Sequence, residues 1–310
     1  MAKVLIIKLG YSETIDAGIS KVTSLGDVLR TTVILHGFRN DQVTWLVDEG
    51  AYPLLEGNPL IHRLLPYDLS SVLQLQRERY DTVINLEKVP GICALADSIN
   101  AWRRYGFRFD EQSGEAQPYD GCEWVFDLCA DDKLKQTHTV SWQEALLKIV
   151  GASWEGQEYL LGYRPRSEEL IDVGFNWAVG SKWPNKGWPR EHWDTLREMI
   201  AGEYSTSMQQ GMDNLNLYME WINSCRLLVT NDSLGLHIAL ALKKKVVVLY
   251  GPTNPHETWF YGRGEVLYPE VGYDCIPCLK PFCRQETCCM AYITPAEVKR
   301  RIDRLLKGAP

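Results

Sequence analysis

The chain opens on KVLIIKL, a run of apolar and β-branched residues without polar alternation. A strand covered on both faces reads this way, as in a parallel sheet packed between helices. VTWLVD (43–48) and DTVINLE (81–87) repeat the pattern, and helical spacing fills the stretches near 25–38, 51–57 and 68–79. AWRRYGF (101–107) predicts one more short strand. Residues 108–136 are polar and acidic without a clear period, which predicts a loop, and HTVSWQEALLKIVG (138–151) predicts a helix closed by Gly151. A second alternation begins near residue 171. DVGFNWAVG predicts a strand, and 189–202 and 213–225 predict helices, with no evident strand between Ile200 and Leu215. RLLVTND, SLGLHIALALKKK and VVVLYGPT then form strand, helix and strand with short connections, a βαβ unit of right-handed crossover. The tail opens on a Thr294/Glu297 capping box and closes on Gly308.

Two similar halves joined near 160–170 predict an α/β protein of two Rossmann-like, doubly wound domains facing a cleft, residues 1–165 and 166–310. Ligands of such sheets sit beyond the carboxyl ends of the strands. Functional side chains are therefore expected after IIKL, FNWAVG, LLVTN and VVLYG. With 310 residues the chain has room for two cores, and 45% apolar with 24% charged residues is the balance of a soluble globular protein. A net charge of −7 argues against a general nucleic-acid binder. No apolar run reaches the roughly 18 residues that span a bilayer. The N-terminus reads as a first strand rather than a signal peptide, so the expected compartment is the cytoplasm.

The candidate chemistry starts with an exclusion. Gly10, Gly18 and Gly26 are too widely spaced for a dinucleotide fingerprint, and no phosphate-cradling G-x-x-x-x-G-K-[ST] occurs. What remains is SLGDVLRTT, with Asp27 in the first turn of a helix. Ser24 and Asp27 make a capping box there, or Asp27 acts as general base on a hydroxyl; the two roles are compatible. GSKWPNKGWPREHW offers Ser181, Lys182 and Lys186 just before a helix, which suits a diphosphate, or it is a solvated basic loop. In TNDSLGLHIALALKKK, capping explains one of Asn231, Asp232 and Ser233 but not all three. His237 within that apolar helix reads first as a packed core residue. Thr253 follows the next strand on the ligand edge, in what is otherwise a proline turn. Arg63, Arg103 and Arg104 suit phosphates or acidic sugars of an acceptor, although exposed arginines are usually just solvated. Cys275, Cys278, Cys283, Cys288 and Cys289 crowd into CIPCLKPFCRQETCC. That spacing suits a tetrahedral zinc or an iron centre, structural because no His or carboxylate opens it to water; reduced thiols are the plain alternative.

IIKLG…SLGDVLRTT, GSKWPNKGWP, VTNDSLGLHIALAL and VVVLYGPTNP stand in the order seen in the ADP-heptose:lipopolysaccharide heptosyltransferases, glycosyltransferase family 9, and the chain resembles that family over most of its length. The resemblance implies a GT-B fold, with an acceptor-binding domain, a nucleotide-sugar domain and a final helix that returns to the first. It implies Asp27 as the base of an inverting displacement and Lys8 as a cleft lysine. It implies Ser181, Lys182 and Lys186 at the donor phosphates, and Asp232, Ser233, Gly235, His237 and Thr253 at the nucleotide-sugar. No catalytic cofactor is implied: the chain has no D-x-D, so lysines and a helix dipole would stabilise the departing ADP. Similar cysteine clusters occur in iron-containing autotransporter heptosyltransferases. The implied partners are an ADP-heptose-like donor and a glycan or glycolipid acceptor, at the cytoplasmic face of the inner membrane.

Two departures from the family stand out. Thirteen residues, Tyr11 to Thr23, separate KLG from SLGDVL and predict a flap over the acceptor side, and the glycine of DSLGLH is displaced by one position. Other readings of the same residues are a nucleotide-sugar epimerase or hydrolase, a heptosyltransferase with a protein acceptor, or a non-enzymatic metal or redox module.

Overall fold

The structure is a computed structural model that describes residues 1–11, 23–209 and 213–308. The predicted flap falls on 11–23 and so lies almost wholly outside the described residues. Two compact units divide the chain. The first comprises residues 1–135 and 140–163, the second 136–139 and 164–310, so the expected boundary near 165 is close but not a single cut.

The first unit runs β1 (Lys3–Ile7), α1 (Leu25–Thr31), β2 (Gln42–Val47), α2 (Tyr52–Leu55), β3 (Arg63–Pro66), α3 (Leu69–Leu75) and β4 (Arg79–Asn85). It continues through α4 (Pro90–Ser98), β5 (Asn100–Phe109), β6 (Ala116–Pro118), α5 (Glu123–Ala130), α6 (Asp132–Thr137) and α7 (Trp142–Ile149). The sheet order is β3-β2-β1-β4-β5-β6, parallel except for β6. β1 and β4 lie at its centre, which is why KVLII and TVIN show no polar alternation: Val4 to Ile7 and Val83 to Asn85 are buried on both faces. Leu5, Ile7, Val83 and Leu46 pack with Ile92, Leu95 and Ile99 from α4 and its end.

The second unit runs β7 (Ile171–Asn176), α8 (Arg190–Ile200), β8 (Thr206–Met208), α9 (Leu215–Asn223), β9 (Cys225–Asn231) and α10 (Leu234–Ala241). It ends with β10 (Lys245–Leu249), β11 (Gly264–Leu267) and α11 (Pro295–Lys307). Its sheet is β11-β10-β9-β7-β8, with every pairing parallel. α10 is buried from Leu234 through Leu240, as an all-apolar helix must be. Both units are doubly wound, and together they have the two-sheet plan of the GT-B fold.

Two expectations need correction. The stretch 108–136 is not a loop: β6 closes a hairpin on β5, and α5 buries Val125, Leu128 and Cys129 at helical spacing. Three buried positions among acidic neighbours were too short a stripe to read as a helix. A strand, β8, does lie between Ile200 and Leu215, but its three residues leave no room for a pattern. The apolar face of α11 serves the second unit: Val298 and Ile302 enter the core beside Trp193 and Leu196. The capping box forms as read, with the Thr294 and Glu297 side chains each bonding the other's backbone, and Gly308 takes the left-handed C-terminal position.

Ile302→Ala removes a fully buried side chain from this seam and is expected to destabilise the second unit by about 2–5 kcal/mol, read as an earlier melting transition.

Candidate functional site

In a doubly wound sheet the ligand crevice opens where consecutive connections leave in opposite directions, beyond the carboxyl ends of the strands. In the first unit that point lies between β1 and β4. The residues that follow those strands are Lys8 to Gly10 and Leu86 to Lys88.

Lys8 is fully buried, unlike the cleft lysine that was expected. Its ammonium lies 3.5 Å from Glu87 Oε1 and 3.5 Å from the Tyr11 carbonyl. Glu87, also fully buried, accepts the amide protons of Leu9 and Gly10 through the same oxygen, at 2.8 and 3.0 Å. Burial pushes its carboxyl above the usual glutamate range, against the pull of Lys8 and those amides. Asp27 stands in the first turn of α1, which follows on the same edge. Ser24 holds the N-cap position but its side chain makes no cap bond, so the capping-box reading of Asp27 does not hold. Asp27 Oδ1 instead faces Arg30 at 3.0 Å, one turn along the helix, and the Arg30 guanidinium lies over the Trp142 ring. Its side chain keeps 18% exposure, so the carboxylate is partly open to solvent.

In the second unit the switch point lies between β7 and β9. Asn176 ends β7 and is 1% exposed. Its amide donates to Thr230 Oγ1 at 2.7 Å and Ser233 Oγ at 2.9 Å, and Tyr218 donates its hydroxyl to Asn176 Oδ1 at 2.7 Å. This network crosses β7, β9, α9 and the start of α10. It also accounts for the displaced glycine: a Cβ on Gly235 would meet Asn176 Nδ2 at 2.4 Å and the Tyr218 hydroxyl at 2.5 Å.

Asp232, just past β9, accepts from Lys186 Nζ at 2.7 Å and from the Thr253 hydroxyl at 2.8 Å, both at Oδ2. Burial alone would raise its carboxyl, but Lys186, with help from His237 and the Thr253 hydroxyl, holds it down to about 2. His237 is buried in α10, so its core reading and its influence on Asp232 hold together. Ser181 and Lys182 lie on the loop after β7, exposed and half-buried. Three of the donor-side residues named from sequence (Lys186, His237 and Thr253) therefore act on the half-buried charge of a fourth, Asp232.

The arginines are used differently. Arg63 pairs with Glu78 and with the Tyr80 hydroxyl, at the start rather than the carboxyl end of β3. Arg104 donates to the carbonyls of Ile99 and Ala101 at 2.6 and 3.2 Å, capping the chain that leaves α4. Arg103 is exposed and reaches the Tyr105 hydroxyl at 3.4 Å. The cysteines remain free thiols, and among the described residues no three metal-ligating side chains converge. The segment does tie to the Lys186 loop: Asn185 Nδ2 approaches Cys278 Sγ at 3.8 Å and donates to the Lys280 carbonyl, while Cys288 Sγ approaches the Asn185 carbonyl at 3.7 Å.

Residues 210–288 match the profile of Glycosyltransferase family 9 (heptosyltransferase). Lipopolysaccharide heptosyltransferase 1 of Pseudomonas aeruginosa is 23% identical over 92% of this chain and 96% of its own length. The chain is similar in sequence to the heptosyltransferases of glycosyltransferase family 9. Its fold matches the E. coli heptosyltransferase solved with ADP-2-deoxy-2-fluoro heptose, at a TM-score of 0.62 and 18% identity, covering 99% of this chain and 100% of that one. A crystal structure of an iron-containing dodecameric glycosyltransferase of enterotoxigenic E. coli matches at a TM-score of 0.60 and 12% identity, covering 99% of this chain and 76% of that one. Sequence reasoning missed Asn176, Tyr218, Glu87, Arg30 and Asn185. Asn176 and Glu87 did carry a signal, being polar residues at the carboxyl ends of buried strands.

The folded Asp232 carboxyl titrates below its unfolded value near 4, so its ionised form stabilises the fold fully above about pH 4 and the effect is lost as pH falls toward 2. Asp232→Asn is expected to flatten that acid limb by about 2 kcal/mol, read from denaturant midpoints between pH 2 and 5.

Proposed function

We propose that this protein is an inverting heptosyltransferase that moves a heptose from an ADP-activated donor to a lipopolysaccharide-core glycan. The observation that carries the reading is the Lys186–Asp232–Thr253 cluster at the switch point of the second unit. A half-buried carboxylate there fixes an ammonium and a hydroxyl where a nucleotide diphosphate would bind. The family profile over 210–288 and the two heptosyltransferases above support the sugar and the nucleotide. A nucleotide-sugar donor places the reaction in the cytoplasm or on the cytoplasmic face of the inner membrane. Among the described residues no helix is long and apolar enough to cross a membrane.

In the reaction, Asp27 accepts the proton of an acceptor hydroxyl as its oxygen attacks the anomeric carbon. The bond from that carbon to the diphosphate oxygen breaks, ADP leaves with the electron pair, and the configuration inverts. Lys186, with Ser181 and Lys182, meets the charge growing on the diphosphate; Asp232 holds the Lys186 ammonium, and Ser233, Gly235 and the start of α10 border the nucleotide. Asp27→Asn is expected to lower kcat by roughly 10²–10⁴ with ADP binding unchanged by calorimetry. Full turnover in that variant would falsify the base assignment.

The cysteine-rich segment reads as a structural holder for zinc or iron, from its CxxC spacing and from the iron-containing neighbour. As placed, the thiols form no such set, so binding would require them to turn toward a common centre, and no catalytic step runs through it. Elemental analysis of the purified protein is expected to find close to one zinc or iron per chain, falling in Cys278→Ser. A metal-free preparation with full activity overturns this part of the reading.

A further inference from the structure

α1 begins fifteen residues after Gly10, so the covalent chain alone does not fix where its first turn lies relative to β1. Hydrogen bonds do. The Gly10 carbonyl accepts the Ser24 amide proton, and the Ser24 carbonyl accepts that of Asp27 at 3.1 Å. Gly10 itself has φ of +100°, and a Cβ there would press on Thr23 and Val28 at 3.0 Å. Its amide is held by Glu87 Oε1 at 3.0 Å. A continuous run of hydrogen bonds thus leads from Glu87 through Gly10 and Ser24 to Asp27.

Glu87 is anchored at its other end. Asn85, fully buried, accepts the Glu87 amide proton at 3.1 Å and donates to the Glu87 and Phe107 carbonyls at 3.2 and 2.7 Å. The Cys93 thiol lies 3.2 Å from the Glu87 carbonyl. The glutamate therefore bridges from the end of β4 to the turn after β1, across the switch point. A buried ammonium and carboxylate usually stabilise a fold no better than an apolar pair, and here Glu87 Oε2 has no hydrogen-bond partner at all. Such an arrangement calls for a reason other than stability.

We propose that Glu87 is a positioning residue for Asp27: its charge, held beside Lys8, fixes the Leu9 and Gly10 amides and, through the Gly10 carbonyl, the first turn of α1. This rests on the reading of Asp27 as the base. Glu87→Gln keeps an acceptor oxygen but loses the charge, while Glu87→Ala loses both.

The test uses the full chain with ADP-heptose and heptose-deficient lipopolysaccharide. Glu87→Gln is expected to lower kcat about tenfold and Glu87→Ala about a hundredfold, with KM for ADP-heptose within twofold of the parent. In an Asp27→Asn background Glu87→Gln should lower the residual rate no further, because its effect acts through the missing carboxylate. Hydrogen exchange of the Asp27 and Val28 amides should quicken tenfold or more in Glu87→Gln while amides of α7 stay unchanged. Parent-like kcat or parent-like exchange in Glu87→Gln overturns the proposal, as does an equal further loss in the Asp27→Asn background. If Glu87→Ala does not fold, Glu87→Gln carries the test alone. Full turnover in Asp27→Asn would instead remove the base reading, whereas an inactive Asp27→Asn beside a parent-like Glu87→Gln removes only the positioning role.

Discussion

The second unit turns on one buried carboxamide. Asn176 sits where β7 and β9 part to opposite sides, and a polar group left unpaired there would cost more than most single contacts contribute. Its two donors and its acceptor are all used, by Thr230, Ser233 and Tyr218. Those partners lie on β9, at the start of α10 and on α9, so satisfying one amide fixes three elements. Gly235 follows as a consequence, since α10 can approach Asn176 this closely only without a Cβ. Asp232 then falls just ahead of α10, facing Lys186 and Thr253.

The first unit solves the same topological problem with a charge. Asn85 ends β4 as Asn176 ends β7, but here the side chain that crosses the switch point is Glu87, two residues on. A carboxylate can accept several amide protons at one oxygen, which a turn after a strand needs and an amide serves less well. The accompanying burden is a desolvated charge, offset in part by Lys8. A lysine that sequence alone would send toward a ligand is thereby turned inward.

Much of the fold was legible because the central strands of doubly wound sheets must be apolar on both faces, and KVLII, TVIN, LLVT and VVVL have no other plausible use. β6, β8 and α5 were not, since each is too short to build a period and is held by tertiary pairing. In the site, the residues that touch one another across the second unit stood in motifs and could be named. Their supports could not: Asn176, Glu87 and Arg30 look like ordinary polar residues until the strands are placed side by side. The arginines show the converse. Arg63 and Arg104 carry the right charge for an acidic acceptor, yet Glu78 and backbone carbonyls already hold them.

Lys186 shows how far the support of a site can lie from it. Its ammonium is fixed in front by Asp232, but the loop that carries it is fixed behind by Asn185, whose amide and carbonyl meet the cysteine-rich segment at Cys278, Lys280 and Cys288. Trp188 adds a bond from its indole to the Ile293 carbonyl at 2.9 Å. The segment therefore has a mechanical role whether its thiols hold a metal or stay reduced. If Lys186 meets the donor diphosphate as proposed, the segment's effect on the reaction passes through the placement of that one ammonium group, so a change there should alter how the diphosphate is held rather than the acceptor side.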